Sequence, residues 1–201
     1  MAFSNSKTEF NLLKLLIHNW LEKNVSKKRF EHIIGVVRTA RKYAKKLKLN
    51  LNNAELSALL HDCAKELTNK QLLRLARKFR IKLDKVDYIN PHVLHARVGE
   101  CIAKKKFGIK DKDVLEGIRC HTLAEPDMSR MAMMIYLADS TEPGRDKKRI
   151  IPIKKAFKEE GLEKAVLIAI DQKLIDVIKK EKIIHPYTIC ARNWLIKKIN
   201  K

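Results

Sequence analysis

Apolar residues return every three to four positions along most of the chain. From Phe30 they fall at Phe30, Ile33, Ile34, Val37, Ala40, Ala44 and Leu47, the spacing that lines one side of an α-helix. Ser26 is the N-cap expected for that helix. The same pattern predicts an earlier helix over about Glu9–Glu22 and a later one from Asn53 to about Lys65, carrying Leu56, Leu59 and Leu60. Thr68-Asn69-Lys70-Gln71 reads as a capping box opening a helix to about Phe79. Ile81–Pro91 is expected to be loop, because Pro91 and a polar run break the period. Helices follow over about Val93–Lys106, Asp111–Cys120 and Ser129–Asp139, bounded by Gly108, Asp111 and Pro126-Asp127. Thr141-Glu142-Pro143-Gly144-Arg145 stops the pattern, and two last helices are expected over about Lys154–Lys180 and Tyr187–Ile199. The predicted fold class is all-α, a single globular helical bundle with an N-terminal helix (1–25) ahead of the main body (26–201).

Composition agrees with that picture and narrows the chemistry. The 201 residues are 45% hydrophobic, enough to fold without a disulfide or metal as a staple. Aromatics are only 6%, so Leu, Ile, Val and Ala must fill the core. Six Gly and five Pro are too few for a turn-rich β sandwich, and no glycine-rich phosphate-binding motif occurs. Cys63, Cys101, Cys120 and Cys190 contain no C-x-x-C pair and lie in apolar helical stretches, which suggests small hydrophobes in a reduced, cytoplasmic setting. Met1–Thr8 is polar and no apolar run approaches 18 residues, so neither a signal peptide nor a membrane span is expected. The charge of 44 − 23 = +21 admits nucleic acid, an anionic membrane surface or a phosphorylated substrate without choosing among them. Most of the lysines spread along predicted helices, as on a solvated surface, and no RNA-recognition motif is visible.

The histidines decide more. His61-Asp62 sits in the otherwise apolar stretch Leu59-Leu60-His61-Asp62-Cys63-Ala64, where a buried pair is costly unless something satisfies it. A metal does so, and imidazole with carboxylate suits iron, manganese or zinc. By itself the dipeptide is better read as a hydrogen-bonded core histidine beside a surface carboxylate. His32, His61, Asp62, His95, His121 and Asp139, however, fall on successive predicted helices, which is how helical bundles assemble metal sites. Six donors exceed one zinc site and match two octahedral metals sharing a carboxylate, with Asp62 as the expected bridge. His32, His61 and Asp139 would complete one site, His95 and His121 the other. His18 and His92 are read as non-ligands, and His185-Pro186 as a helix start.

The order His…His-Asp…His…His…Asp resembles the HD-domain phosphohydrolases. Arg29-Phe30-Glu31-His32, Leu59-Leu60-His61-Asp62-Cys63-Ala64-Lys65, Leu94-His95, His121-Thr122, Met128-Ser129, Ala138-Asp139, Glu142-Pro143-Gly144-Arg145, His185-Pro186 and Arg192-Asn193 are more narrowly similar to the symmetrical diadenosine-tetraphosphate hydrolases. That resemblance implies two metals, iron in members of this group with manganese or another transition metal as the alternative, in divalent or mixed-valent form. It further implies cleavage of a dinucleoside polyphosphate into two ADP. The chain departs from it where His-Thr-Thr-Gly is usual and His121-Thr122-Leu123-Ala124 stands, where Leu-His-Gly is usual and Leu94-His95-Ala96 stands, and at Ser140-Thr141. Other expectations kept beside it are an HD phosphohydrolase for a deoxynucleotide or guanosine tetraphosphate, and a basic RNA- or ribosome-associated protein with a vestigial core. A homodimer is compatible with either.

Phosphoryl transfer rests on positioning and charge, so cations should face the metals. Arg29 is three residues before His32, and Lys65 is three after Asp62 and four after His61, the spacing of a shared helical face. Each is otherwise an ordinary surface cation. Arg145 follows the last donor in a Pro-Gly loop and suits bidentate phosphate binding. Thr122 adjoins His121 and offers a hydroxyl. Asp62, Lys65 and Arg145 are the expected catalytic groups, with Arg29, Lys65, His95, Thr122 and Arg145 contacting substrate and Tyr187 stacking on adenine.

Overall fold

The computed structural model describes residues 7–200, and these contain eleven α-helices, one 3-10 turn and no strand. The polar Met1–Ser6 stretch, part of the segment read as no signal peptide, lies outside them. Helices α1 (Lys7–Asn24) and α2 (Lys27–Leu47) are followed by α3 (Leu51–Leu60) and α4 (Asn69–Lys78). Next come α5 (Lys85–Ile89), the 3-10 turn Pro91–Leu94, α6 (His95–Phe107) and α7 (Lys112–Cys120). The chain closes with α8 (Arg130–Thr141), α9 (Lys147–Glu159), α10 (Leu162–Lys179) and α11 (Pro186–Ile199). Among the described residues no helix is long and apolar enough to cross a membrane.

Helix α8 is the axis. Met131 through Asp139 are all buried, so it is covered on every side, as a core helix must be; α2, α7 and α10 pack around it. Small residues allow the close approaches. A Cβ on Gly117 of α7 would lie 2.8 Å from the Ser57 hydroxyl and 3.2 Å from Ile135, so only glycine lets α7 sit between α3 and α8. Ile17 and Leu21 of α1 are fully buried in the same apolar cluster. Cys63 and Cys120 are buried, whereas Cys190 is exposed on the outer side of α11 and does not act as core.

Three boundaries differ from the sequence reading, each for a local reason. Residues 61–66 do not continue α3. They form consecutive turns with bonds from Cys63 N to Leu60 O and Lys65 N to Asp62 O. The expected loop at 81–91 contains α5, because Asp84 and Asp87 form a reciprocal capping box. The single helix expected over 154–180 is two, broken at Gly161, whose φ of 102° and ψ of −173° belong to a region open essentially to glycine alone. The first of the two starts earlier, at Lys147, because Asp146 caps the Lys148 amide.

Candidate metal centre

The start of α2 and the turn after α3 are fastened together. Glu66 accepts from both the amide and the hydroxyl of Ser26, each at 2.6 Å, while the Ser26 hydroxyl caps Arg29 N. Arg29 and His32 are thereby registered against His61, Asp62 and Lys65. His61 and His121 each stand just past the end of a helix, at the C-caps of α3 and α7, and His95 opens α6.

These three histidines share one local device. Each Nδ1 faces the carbonyl three residues back: Ala58 at 2.6 Å for His61, His92 at 2.5 Å for His95 and Ile118 at 2.7 Å for His121. For His61 and His121 those carbonyls are the ones a helix end leaves unpaired. A carbonyl can only accept, so the proton is on Nδ1 and Nε2 presents a bare lone pair. His32 reaches the same state differently, its Nδ1 facing the Glu142 carboxylate at 3.2 Å.

All four Nε2 atoms converge. His32 and His61 are 3.3 Å apart, and His95 and His121 are 3.2 Å apart. Asp62 lies between the two pairs. Its Oδ2 is 3.5 Å from both His32 and His61, and its Oδ1 is 3.4 Å from His95 and 3.2 Å from His121. Asp139, near the end of α8, places Oδ1 3.2 Å from His32 and 4.0 Å from His61. Two donor groups meet the geometric requirement for a metal, His32-His61-Asp62 and Asp62-His95-His121, each with its ligand atoms within 4.8 Å of one another. Asp62 belongs to both.

The electrostatics of the cluster fit cations. Burial pushes His95 well below the ordinary imidazole range, helped by Lys65 and His121; burial likewise lowers His121. Burial opposes the charge on Asp62, but His61 and His121 outweigh it and hold the carboxyl well below its usual range. Asp139 behaves the same way, with His32, Arg145 and Lys173 overcoming burial. At His61 the carboxylates of Asp62 and Asp139 outweigh burial and raise the imidazole, so imidazole nitrogens and carboxylates face one another in a site where His61, Asp62, His95, His121 and Asp139 are 6% exposed or less. Such a set of acceptors is costly unless shared positive charge satisfies it. The residues present fit two metal ions.

A ring of donors surrounds the cluster. Arg29 Nη1 lies 2.6 Å from Asp62 Oδ2. Arg145 pairs with the Asp139 carboxylate through Nη2 and with its carbonyl through Nε at 2.9 Å. Lys65 Nζ is 3.2 Å from His95 Nε2, although the helical face invoked to place it is absent; the Glu66–Ser26 fastening and the 61–66 turns hold it there instead. The Thr122 hydroxyl lies 2.8 Å from His95 Nε2 and 2.9 Å from His121 Nε2. Tyr187 is not among them. Its ring meets His185 edge-on at 4.8 Å and takes the Arg97 guanidinium on its face at 5.9 Å, lining a separate cavity of about 380 Å³. The residue expected to stack on adenine thus lines a cavity apart from the metal cluster. His18 pairs loosely with Glu22 at the surface, and His92 contributes its carbonyl to His95.

Two further residues were not singled out. Glu142, which the sequence marks only as part of the helix stop and of the Glu142-Pro143-Gly144-Arg145 stretch, orients His32 and also accepts from the Gly144 amide at 2.6 Å. Lys173, in mid-α10, sets its ammonium 4.0 Å from the Tyr136 ring centre and 3.4 Å from the His121 carbonyl. Burial lowers it to about 8, against Asp139. In the loop after His121, Ala124 takes the left-handed backbone at φ 61°, which glycine adopts without strain.

Comparison with known proteins agrees with this geometry. The HD domain family matches residues 29–144. A protein of Halalkalibacterium halodurans named bis(5'-nucleosyl)-tetraphosphatase, symmetrical, is 31% identical over 86% of this chain and 91% of its own length. One of the same name from Bacillus subtilis is 28% identical over 88% of this chain and 94% of its length. The crystal structure of a Clostridium acetobutylicum protein, described as a predicted HD superfamily hydrolase involved in NAD metabolism, superposes with a TM-score of 0.88 at 37% identity, covering 92% of this chain and 97% of that one. The chain thus belongs to the HD domain family of phosphohydrolases and, within it, to the group of the symmetrical bis(5'-nucleosyl)-tetraphosphatases.

Proposed function

We propose that this protein hydrolyses diadenosine tetraphosphate symmetrically, to two ADP, at two metal ions held by His32, His61, Asp62, His95, His121 and Asp139. The observation that carries the reading is the pair of buried donor groups sharing Asp62, with one carboxylate oxygen turned to each histidine pair. Iron is the metal the sequence resemblance favours, with manganese as the alternative. Bound there, two such ions supply an activated water and draw charge from the phosphate oxygens.

The chain's own groups do the rest. Arg29, Lys65 and Arg145 stand at the edge of the cluster and offset the charge of the tetraphosphate, and the Thr122 hydroxyl is a donor for a phosphate oxygen. Glu142 keeps the His32 lone pair turned inward. Water attacks a phosphorus next to the centre of the tetraphosphate, the P–O bond to the far half breaks, and ADP leaves. A terminal phosphate ionises near pH 6, so the leaving group needs no protonating side chain.

Chromatography of the products from diadenosine tetraphosphate tests this directly. ADP alone is expected. Equal ATP and AMP would mean that the cut falls one phosphate away. An intact dinucleotide beside a hydrolysed deoxynucleotide or guanosine tetraphosphate would replace the substrate.

A further inference from the structure

The second half of α2 and the middle of α9 border a groove of about 640 Å³ that also meets Pro143. Arg38, Lys42, Lys45 and Lys46 reach it from α2, at the spacing of one helical face. Lys154 and Lys158 reach it from α9. All six are exposed, and no carboxylate lines the groove. Lys46 lies over the Phe157 ring at 4.5 Å, with the Phe157 carbonyl at 3.5 Å. Among the described residues, the other five side chains make no hydrogen bond or ion pair. The floor between the cations is apolar. It consists of Pro143 and the rings of Tyr43 and Phe157, whose centres are 4.6 Å apart. The groove is separate from the metal centre: none of its lining residues hydrogen-bonds to the four histidines. Along α2, Arg38 stands about 9 Å and Lys46 about 21 Å beyond His32, at 1.5 Å per residue.

We propose that this groove is a second ligand site, distinct from the metal centre, for a small molecule that joins a flat ring to a chain of phosphates, the chemistry of a nucleoside polyphosphate. The proposal goes beyond the hydrolase reading and does not depend on it. Charge is the first argument. Six like charges around one groove repel one another, and with no carboxylate among them only an outside anion of several charges offsets that. Lysines suit phosphates as mobile point charges, and Arg38 adds a planar fork. The floor is the second argument. Inorganic phosphate alone would leave it unused, whereas a base or a comparable ring covers it. Shape is the third. The volume lies within the roughly 300–1,000 Å³ of small-molecule sites, and the cations converge on it from two helices. Single-stranded nucleic acid would need exposed aromatics on which successive bases stack, but Tyr43 and Phe157 are each only 6% exposed.

The test is calorimetric titration of ATP, AMP, inorganic triphosphate and a ten-residue oligouridylate into the full chain, with magnesium in excess so that ATP does not strip the metal centre. The groove variant is Lys154→Glu with Lys158→Glu. Lys42→Glu with Lys45→Glu repeats the test from α2 if the first pair folds poorly. Lys70→Glu with Lys78→Glu, on α4, makes the same change in net charge away from the groove. ATP is expected to bind the wild type, with AMP at least tenfold weaker and triphosphate about fivefold weaker. Either groove variant should weaken ATP more than tenfold, the α4 variant less than twofold. Asp62→Ala, which removes the carboxylate shared by both metal positions, should also change ATP affinity less than twofold. Four results would overturn the proposal. Equal losses in the groove and α4 variants would mean a general field. Loss in Asp62→Ala alone would put ATP at the metals. Triphosphate as tight as ATP would leave the floor without a part. An oligouridylate tighter than ATP, and lost with the groove lysines, would make the face a nucleic-acid surface instead.

Discussion

His61, His95 and His121 each tie one nitrogen to a carbonyl three residues back, so the ligand tautomer is set by the backbone. His32 depends on a side chain, Glu142, and that dependence is testable. A Cβ on Gly35 would stand 2.8 Å from Glu142 Oε2, so Gly35→Ala must displace the carboxylate that orients His32. Helix propensity alone would make Gly→Ala stabilising by about 1 kcal/mol. We expect thermal stability to be kept while metal affinity falls about 10–100-fold, the usual scale for losing a group that orients a ligand; titration with metal distinguishes the two. Arg145→Ala should lower kcat/KM for diadenosine tetraphosphate more than tenfold with metal content intact, a loss of about 2–3 kcal/mol for a charge-assisted contact. Unchanged kinetics would remove Arg145 from the site. The six donors could be singled out in the sequence because each is a polar residue breaking an apolar face. Glu142, visible only within the Glu142-Pro143-Gly144-Arg145 stretch, could not be given its role. Its partner lies 110 residues away, and nothing local marks the contact.

Elements were legible wherever capping and periodicity agree. Ser26, Thr68 and Asp111 cap the helices expected of them. The misreadings came from short-range rules that outweigh periodicity. Asp84 and Asp87 cap a five-residue helix too brief to show a repeat. Asp87 is also fully buried against Arg97, and its Oδ1 is 3.4 Å from His185 Nε2 without reaching hydrogen-bond geometry. At Gly161 a single backbone conformation divides one apolar run into two helices. Gly161→Ala leaves the space around it open and so isolates that conformational cost: about 1–3 kcal/mol, read as a lower midpoint in urea. A variant as stable as the wild type would mean the break lies elsewhere. The turn at 61–66 shows the converse case. Lys65 reaches His95 although no helix carries it there, because Glu66 binds Ser26.

At the scale of the whole molecule the charge of +21 gains a purpose if the substrate is a polyphosphate. A positive field steers a polyanion toward the site, and salt screens it over about 10 Å at 0.1 M. Raising potassium chloride from 50 to 500 mM should therefore lower kcat/KM several-fold, with kcat changing less; a flat salt profile would assign the lysines to solubility alone. The same molecule buries four imidazole lone pairs and two carboxylates at one point, held by α2, the turn after α3, α6, α7 and α8. Removing the metals should leave that point uncompensated and lower the melting temperature, with recovery on adding metal back. The central claim is that these six side chains hold two ions through a shared Asp62, and its most direct test is the metal-to-protein ratio by plasma mass spectrometry, measured beside the Asp62→Ala variant. Two metals per chain in the wild type, with both lost or greatly weakened in the variant, is the expected result; one metal or none in the fully loaded wild type, or two retained without Asp62, would contradict it.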